Sequence, residues 1–216
     1  MQKNEELTWL EEQWHQLLAD CRVSVPKASY AYQEVLEQYG KSGRKYHNFH
    51  HLVELLQAYM WVEEMVDHKL EVRTAIWFHD LIYQPLRKDN ELRSARRALL
   101  HLRDWETSKL EERTVFDLIV STRNHQPLWD HPDCHLFLDL DLGILGRERA
   151  RYEAYTQEIR EEYKMVPAPL YRSGRKKVVN SFLGRPRLYF TNHFFERLET
   201  RARENLTWEL EQLEGN

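Results

Sequence analysis

Tyr46-His47-Asn48-Phe49-His50-His51-Leu52-Val53-Glu54-Leu55-Leu56-Gln57-Ala58-Tyr59 is the stretch on which the rest of the chain turns. Leu52, Leu55, Leu56 and Tyr59 recur at three- and four-residue steps, the spacing of one apolar face of an α-helix. His51 lies beside that stripe and points inward. His47, four residues earlier, shares its face if the helix reaches back that far. His50 next to His51 leaves the register open by one position.

Further along, Phe78-His79-Asp80 repeats the arrangement, because His79 falls in helical register with Val72, Ala75 and Ile76. A third polar element, Asp139-Leu140-Asp141-Leu142, interrupts an apolar run. Phe137, Leu138, Leu142 and Leu145 surround Asp141 at core spacings, and Asp139 fits that face less well. Burying an aspartate without a counter-charge is costly, and a bound cation is a ready explanation. Neutral imidazoles and carboxylates are the ligand set of divalent transition metals. A lone inward histidine is more often a hydrogen-bonded core residue than a ligand. Three helices each offering a polar group from an apolar face shift that balance toward a metal assembled by the fold.

Composition agrees with a helical reading. The 216 residues contain only 7 Gly and 7 Pro, too few for the many tight turns of an all-β fold. At 42% hydrophobic and 31% charged, the chain has material for a core and a solvated exterior. Its net charge of -4 gives no reason to expect a nucleic-acid polymer as partner. Cys21 and Cys134 have no paired-motif spacing, which suggests a reducing compartment without disulfides. The polar amino terminus, Met1-Gln2-Lys3-Asn4-Glu5-Glu6, does not read as a secretory signal. With no apolar run approaching the ~20 residues of a membrane helix, the expectation is a cytoplasmic protein with no membrane partner.

Periodicity and breakers predict helices over Leu7–Ala19, Lys27–Tyr39 (closed by Gly40) and the stretch quoted above. A fourth opens at Val72 and ends near Pro85, and a fifth runs from Asn90, read as its N-cap, to about Arg103. Leu110–Arg123, the short apolar Leu136–Leu145, Glu148–Met165, Leu170–Phe182 and Thr191–Leu213 complete an all-α reading. No repeat or linker interrupts it. One domain is expected over 1–216, with a motif core of about 46–146 and a helical extension of about 147–216.

In their order, these motifs resemble the HD-domain superfamily of metal-dependent phosphohydrolases. Tyr46-His47-Asn48-x-x-His51 is similar to an element of the cyclic-nucleotide phosphodiesterases within that superfamily. The nearest likeness is to a group of predicted HD-superfamily hydrolases, whose pattern matches Tyr46–His51, Phe78–Asp80, Asn90–Ala95 and Asp139–Gly146. The resemblance implies an HD-type helical bundle and His51, His79, Asp80 and Asp141 as ligands of a divalent ion. Manganese, magnesium, zinc, iron, nickel and cobalt are not distinguished by it. It also implies His47 as the group that protonates the leaving oxygen, with Asp80 bridging if a second ion is present. No residue here matches the glutamine with which phosphodiesterases clamp a purine.

His125, if its helix persists past Thr122, could serve a second ion; a helix-end role before Pro127 competes with that reading. Lys88, Glu91 and Arg123 lie next to motif residues and are candidates for holding a phosphorylated substrate, though Glu91 also suits helix capping. His101 reads as packing, and Arg175-Lys176-Lys177 as an exposed helix face. The leading expectation is a metal-dependent phosphohydrolase acting on a small phosphate ester such as a nucleotide, with room for a homo-oligomer. Two rivals stand beside it. One is a di-iron HD-fold oxygenase, which would need His125 or His101 as ligands; the other is a non-catalytic nucleotide-binding or sensing module.

Overall fold

The computed structural model describes residues 3–215; Met1 and Gln2 of the polar amino-terminal stretch, and Asn216, lie outside the described residues. The architecture is all-helical. In chain order the helices are α1 (Lys3–Cys21), α2 (Val25–Tyr39), α3 (Phe49–Val62), α4 (Lys69–Phe78) and α5 (Asn90–Trp105). They continue as α6 (Glu112–Ser121), α7 (Pro132–Asp141), α8 (Arg149–Glu162), α9 (Ala168–Leu183) and α10 (Asn192–Glu214). Short 3-10 turns occupy Glu63–Met65 and Leu142–Gly146, and no strand occurs among the described residues. None of these helices is long and apolar enough to cross a membrane. Packing divides the chain into two compact units, residues 1–137 and 138–216, so Asp139–Gly146 belongs with the carboxy-terminal helices.

In the first unit α4 is central, packed by α1, α3, α5 and α6. Its burial shows this: Val72, Ala75, Ile76, Trp77 and Phe78 are all at most 1% exposed, and the polar Glu71, Arg73 and Thr74 between them are buried as well, so the helix is enclosed on every side rather than along one stripe. Trp14 of α1 meets Trp77 edge-on at 5.1 Å, Trp105 at 5.7 Å and Phe78 at 6.1 Å. Aromatic pairs of this kind add ~0.5–1.5 kcal/mol each beyond burial. The Tyr39 hydroxyl donates to the Trp77 carbonyl at 3.3 Å, fastening α2 to the end of α4. This dense cluster immediately precedes His79 and Asp80 and gives them a rigid base.

Beyond Asp80 the chain is held by α5. Asn90 does not cap that helix, as its sequence suggested; Asp89 is at the N-cap, without a side-chain cap bond. The Asn90 amide instead donates to the Gln84 carbonyl at 2.9 Å and accepts the Gln84 N–H at 3.2 Å. Ser94 Oγ does the same for Ile82, accepting its N–H at 2.9 Å and donating to its carbonyl at 3.2 Å. Two side chains one helical turn apart thereby stand in for a partner strand to residues 82–84.

In the second unit α10 packs on α8, on α9 and on the 3-10 turn Leu142–Gly146. Gly146 is required there, since a Cβ would lie 2.6 Å from Leu198 Cβ and 3.0 Å from the Tyr189 hydroxyl. Asn205 Nδ2 donates to the Leu145 and Arg147 carbonyls at 2.8 and 2.9 Å, holding the same turn. Arg175 is not part of an exposed face. Its side chain is 10% exposed and pairs with Glu209 through two bonds of 2.7 and 3.0 Å. Tyr152 donates to Glu209 at 2.6 Å and Arg175 donates to Tyr155 at 3.2 Å, which completes a buried ionic knot.

Candidate metal centre

Asn48 decides where α3 begins. Its backbone is extended (φ -123, ψ -166) and its side chain accepts the His50 N–H at 2.8 Å, an N-cap that starts the helix at Phe49. His51 therefore sits in the first helical turn, 1% exposed. His47 lies before the cap, not one turn down a shared helix face as its spacing suggested. At the far end of α4, His79 is the C-cap residue, also 1% exposed, and Asp80 follows it.

These two helix ends converge. His51 Nε2 and His79 Nε2 are 3.2 Å apart, and Asp80 Oδ2 lies 3.1 Å from the latter and 3.8 Å from the former. His79 Nδ1 donates to the Ile76 carbonyl at 2.9 Å, which places its proton there and leaves the Nε2 lone pair facing the cluster. Tetrahedral ligands bonded at ~2.0–2.2 Å stand roughly 3.3–3.6 Å from one another. The three atoms lie close to that spacing, and the donor set suits a divalent ion of intermediate softness. Burial alone would push the Asp80 carboxyl up, but the neighbouring imidazoles of His79, His47 and His51 outweigh it. They hold the group well below the ordinary carboxylate range.

His47 stands beside this cluster, half-buried. Its ring stacks on Tyr83 at 4.0 Å, meets Tyr46 edge-on at 4.9 Å and lies 6.0 Å from the His51 ring. Arg44, which the sequence did not single out, ties the two motif segments together. It is 6% exposed, and its guanidinium donates to the carbonyls of His47 (3.2 Å), Asp80 (2.7 Å) and Leu81 (2.8 Å). The same cation lies over the Tyr39 and Tyr83 rings at 4.9 and 5.6 Å.

Glu91 is half-buried, and burial first, then the charge of Asp80, raises its carboxyl; Arg123 and His125 pull it back down. Asp80, Arg123 and His125 are thus each within electrostatic reach of Glu91. Lys88 is exposed in the turn before α5. His125 does not continue a helical face with Leu118 and Thr122. α6 ends at Ser121, and His125 turns out of it in the left-handed region (φ 46), its N–H donating to the Thr122 carbonyl at 3.3 Å. A non-glycine residue held there stores on the order of 1 kcal/mol. His101 is committed elsewhere, with Nε2 2.6 Å from Glu34 Oε2 and its ring stacked on Phe78 at 5.7 Å.

The two aspartates of the Asp-x-Asp element also separate. Asp139, expected to fit the inward face less well, is fully buried. Its carboxylate accepts from Phe190 N (2.7 Å), Thr191 N (2.8 Å) and Thr191 Oγ1 (2.6 Å), anchoring the start of α10. Burial pushes this carboxyl up to about 6 against those bonds. Asp141 ends α7 and is half-exposed, not enclosed by the apolar residues around it in sequence.

No family model, curated protein or solved structure matches this chain.

Proposed function

We propose that the chain is a metal-dependent phosphohydrolase acting on a small phosphate ester, with nucleotides as the first substrates to try. The observation that carries this reading is the convergence of His51 Nε2, His79 Nε2 and Asp80 Oδ2 at the junction of α3 and α4. In the proposal these residues hold one divalent ion. By motif order alone, Asp141 is the fourth ligand in this proposal. Phe137 packs edge-on to His79 at 6.2 Å. The ion would supply Lewis acidity, polarising a phosphoryl oxygen and activating water for attack.

The chain's own residues have distinct tasks. His79, its Nδ1 proton fixed on Ile76, presents a lone pair without a tautomer change. Asp80, held ionised by its imidazole neighbours, keeps its negative charge for the cation. His47, stacked on Tyr83 and half-exposed, carries a proton beside the site and gives it to the leaving alkoxide. Arg123 and His125, both within electrostatic reach of Glu91, are the groups proposed to contact the phosphate, Arg123 as a cation. His101 is bound to Glu34, which removes one of the extra ligands that a di-iron oxygenase would need.

A panel of phosphomonoesters and phosphodiesters, assayed with each divalent ion in turn, tests the reading. Metal-dependent phosphate release that disappears in His79→Ala supports it. Oxygen uptake with bound iron and no phosphate release would replace it with the oxygenase reading.

A further inference from the structure

A second set of ligand-type side chains gathers at the other end of α4. His68, the residue before that helix, meets His131 and Asp133 at the start of α7, and one ligand atom from each lies within 4.8 Å of the others. His68 Nδ1 is 2.7 Å from Asp133 Oδ2, and His131 Nδ1 is 3.7 Å from the same oxygen. At 1.5 Å per residue, the length of α4 puts this cluster about 15 Å from His79. It shares no residue with the first centre.

Asp133 is the fixed point. It is fully buried, and its two oxygens accept the backbone N–H groups of Asp67 (3.0 Å) and His68 (2.7 Å), which lock the orientation of the carboxylate. Each carboxylate oxygen has two lone pairs, so those bonds do not use up its acceptor capacity. His131 is pressed flat against Trp129, with ring centroids 3.9 Å apart and planes 12° apart. Its Nδ1 accepts the Asp133 N–H at 3.2 Å, so that nitrogen is unprotonated and its lone pair already faces the cluster. The side chains of His68 and His131 are 36% and 23% exposed, which leaves an open side for solvent to enter and to supply further ligands.

We infer that His68, His131 and Asp133 form a site for one divalent transition ion, zinc by ligand type. Two imidazoles and a carboxylate match zinc's nitrogen and oxygen preferences, and with nitrogens 2.7 and 3.7 Å from Asp133 Oδ2 and all three atoms within 4.8 Å of one another, side-chain rotation brings them toward the roughly 3.3 Å spacing of tetrahedral ligands. On binding, the ion takes the place of the proton between His68 Nδ1 and Asp133 Oδ2. The ring proton is then carried on His68 Nε2, the tautomer that leaves Nδ1 free to bind the ion. His131 Nδ1 exchanges its backbone bond for the ion. Because the ligands come from two segments far apart in sequence, the ion cross-links the entry to α4 with the entry to α7. Its role is structural.

The test uses full-length protein stripped of metal, titrated with zinc by calorimetry and followed by thermal unfolding. To isolate the site, the titration is run in the double variant His79→Ala/Asp80→Ala. One zinc ion should bind and raise Tm, and adding His68→Ala or His131→Ala should abolish both effects. If the double variant does not fold, the same histidine substitutions in the parent protein should lower zinc stoichiometry by one ion while circular dichroism stays helical. Zinc binding that persists unchanged without His68 and His131 overturns the inference, as does the absence of any zinc-dependent rise in Tm. Either result leaves the first centre untouched.

Discussion

Replacing Arg44 by Met should loosen the first centre without touching a ligand. The methionine keeps the apolar stem that packs beside Tyr39 and Tyr83 but deletes the donors to His47, Asp80 and Leu81. Hydrogen bonds from charged donors are worth ~1.5–3 kcal/mol each. Only the Leu81 bond is wholly buried, and the three share one cation, so they do not add in full. A loss of ~3–4 kcal/mol follows once the regained freedom from desolvating a guanidinium is set against them. With a urea slope of roughly 1–3 kcal/mol per molar, the unfolding midpoint should fall by at least ~1 M. Arg44→Lys should recover only part, because an ammonium cannot span three carbonyls with fixed geometry. Affinity for the ion should fall ~10–100-fold, as for other groups that orient ligands. A midpoint within ~0.3 M of the parent protein would refute the role assigned to Arg44.

Other perturbations probe separate parts of the account. Gly146→Ala sets a methyl 2.6 Å from Leu198 Cβ and should cost ~1–3 kcal/mol by urea unfolding, and Leu198→Ala in the same chain should not restore it, because alanine keeps that Cβ. Asp139, raised from 3.8 to about 6 by burial, holds its proton more tightly folded than unfolded. Its contribution to stability is greatest below pH ~4 and declines through pH ~6, by up to ~3 kcal/mol, and Asp139→Asn should flatten that slope in pH-dependent unfolding. His47→Ala should keep the ion and lower kcat by ~10²–10⁴-fold for poor leaving groups, with a smaller loss for nitrophenyl esters, which need little protonation. Equal losses for both substrate types would remove His47 as the proton donor.

The helices were legible because their signals are local. Gly40 closes α2 as expected, Pro167 caps α9 with Pro169 in its first turn, and every predicted helix is present with its ends moved by a few residues, save that α4 stops at Phe78, well short of Pro85. The burial of His51 and His79 was legible because an inward polar group on an apolar helix stands out, and Asp80 was legible only as the neighbour of His79. Asn48 carried a readable N-cap signal that would have placed His47 outside α3, and the four-residue spacing obscured it. Arg44 left no such trace: it sits in the polar stretch Lys41–Lys45 and binds backbone carbonyls, which any sequence supplies. Arg175 was hidden in the same way, since one buried residue of a basic run looks like its solvated neighbours until Glu209 is seen opposite. Asp139 misled because α7 gives way to a 3-10 turn at Leu142, so an ideal helical wheel drawn across 136–145 misplaces the core. The backbone donors of Phe190 and Thr191 that hold it lie about fifty residues on, just before α10 and beyond any local pattern.

The central claim is that His51, His79 and Asp80 hold a divalent ion. Elemental analysis of protein purified without chelators, compared with His79→Ala and Asp80→Ala in a chain already carrying His131→Ala, tests it most directly. The account predicts one ion per chain in the His131→Ala background and none once His79 or Asp80 is removed. Full occupancy in both of the latter variants would contradict it.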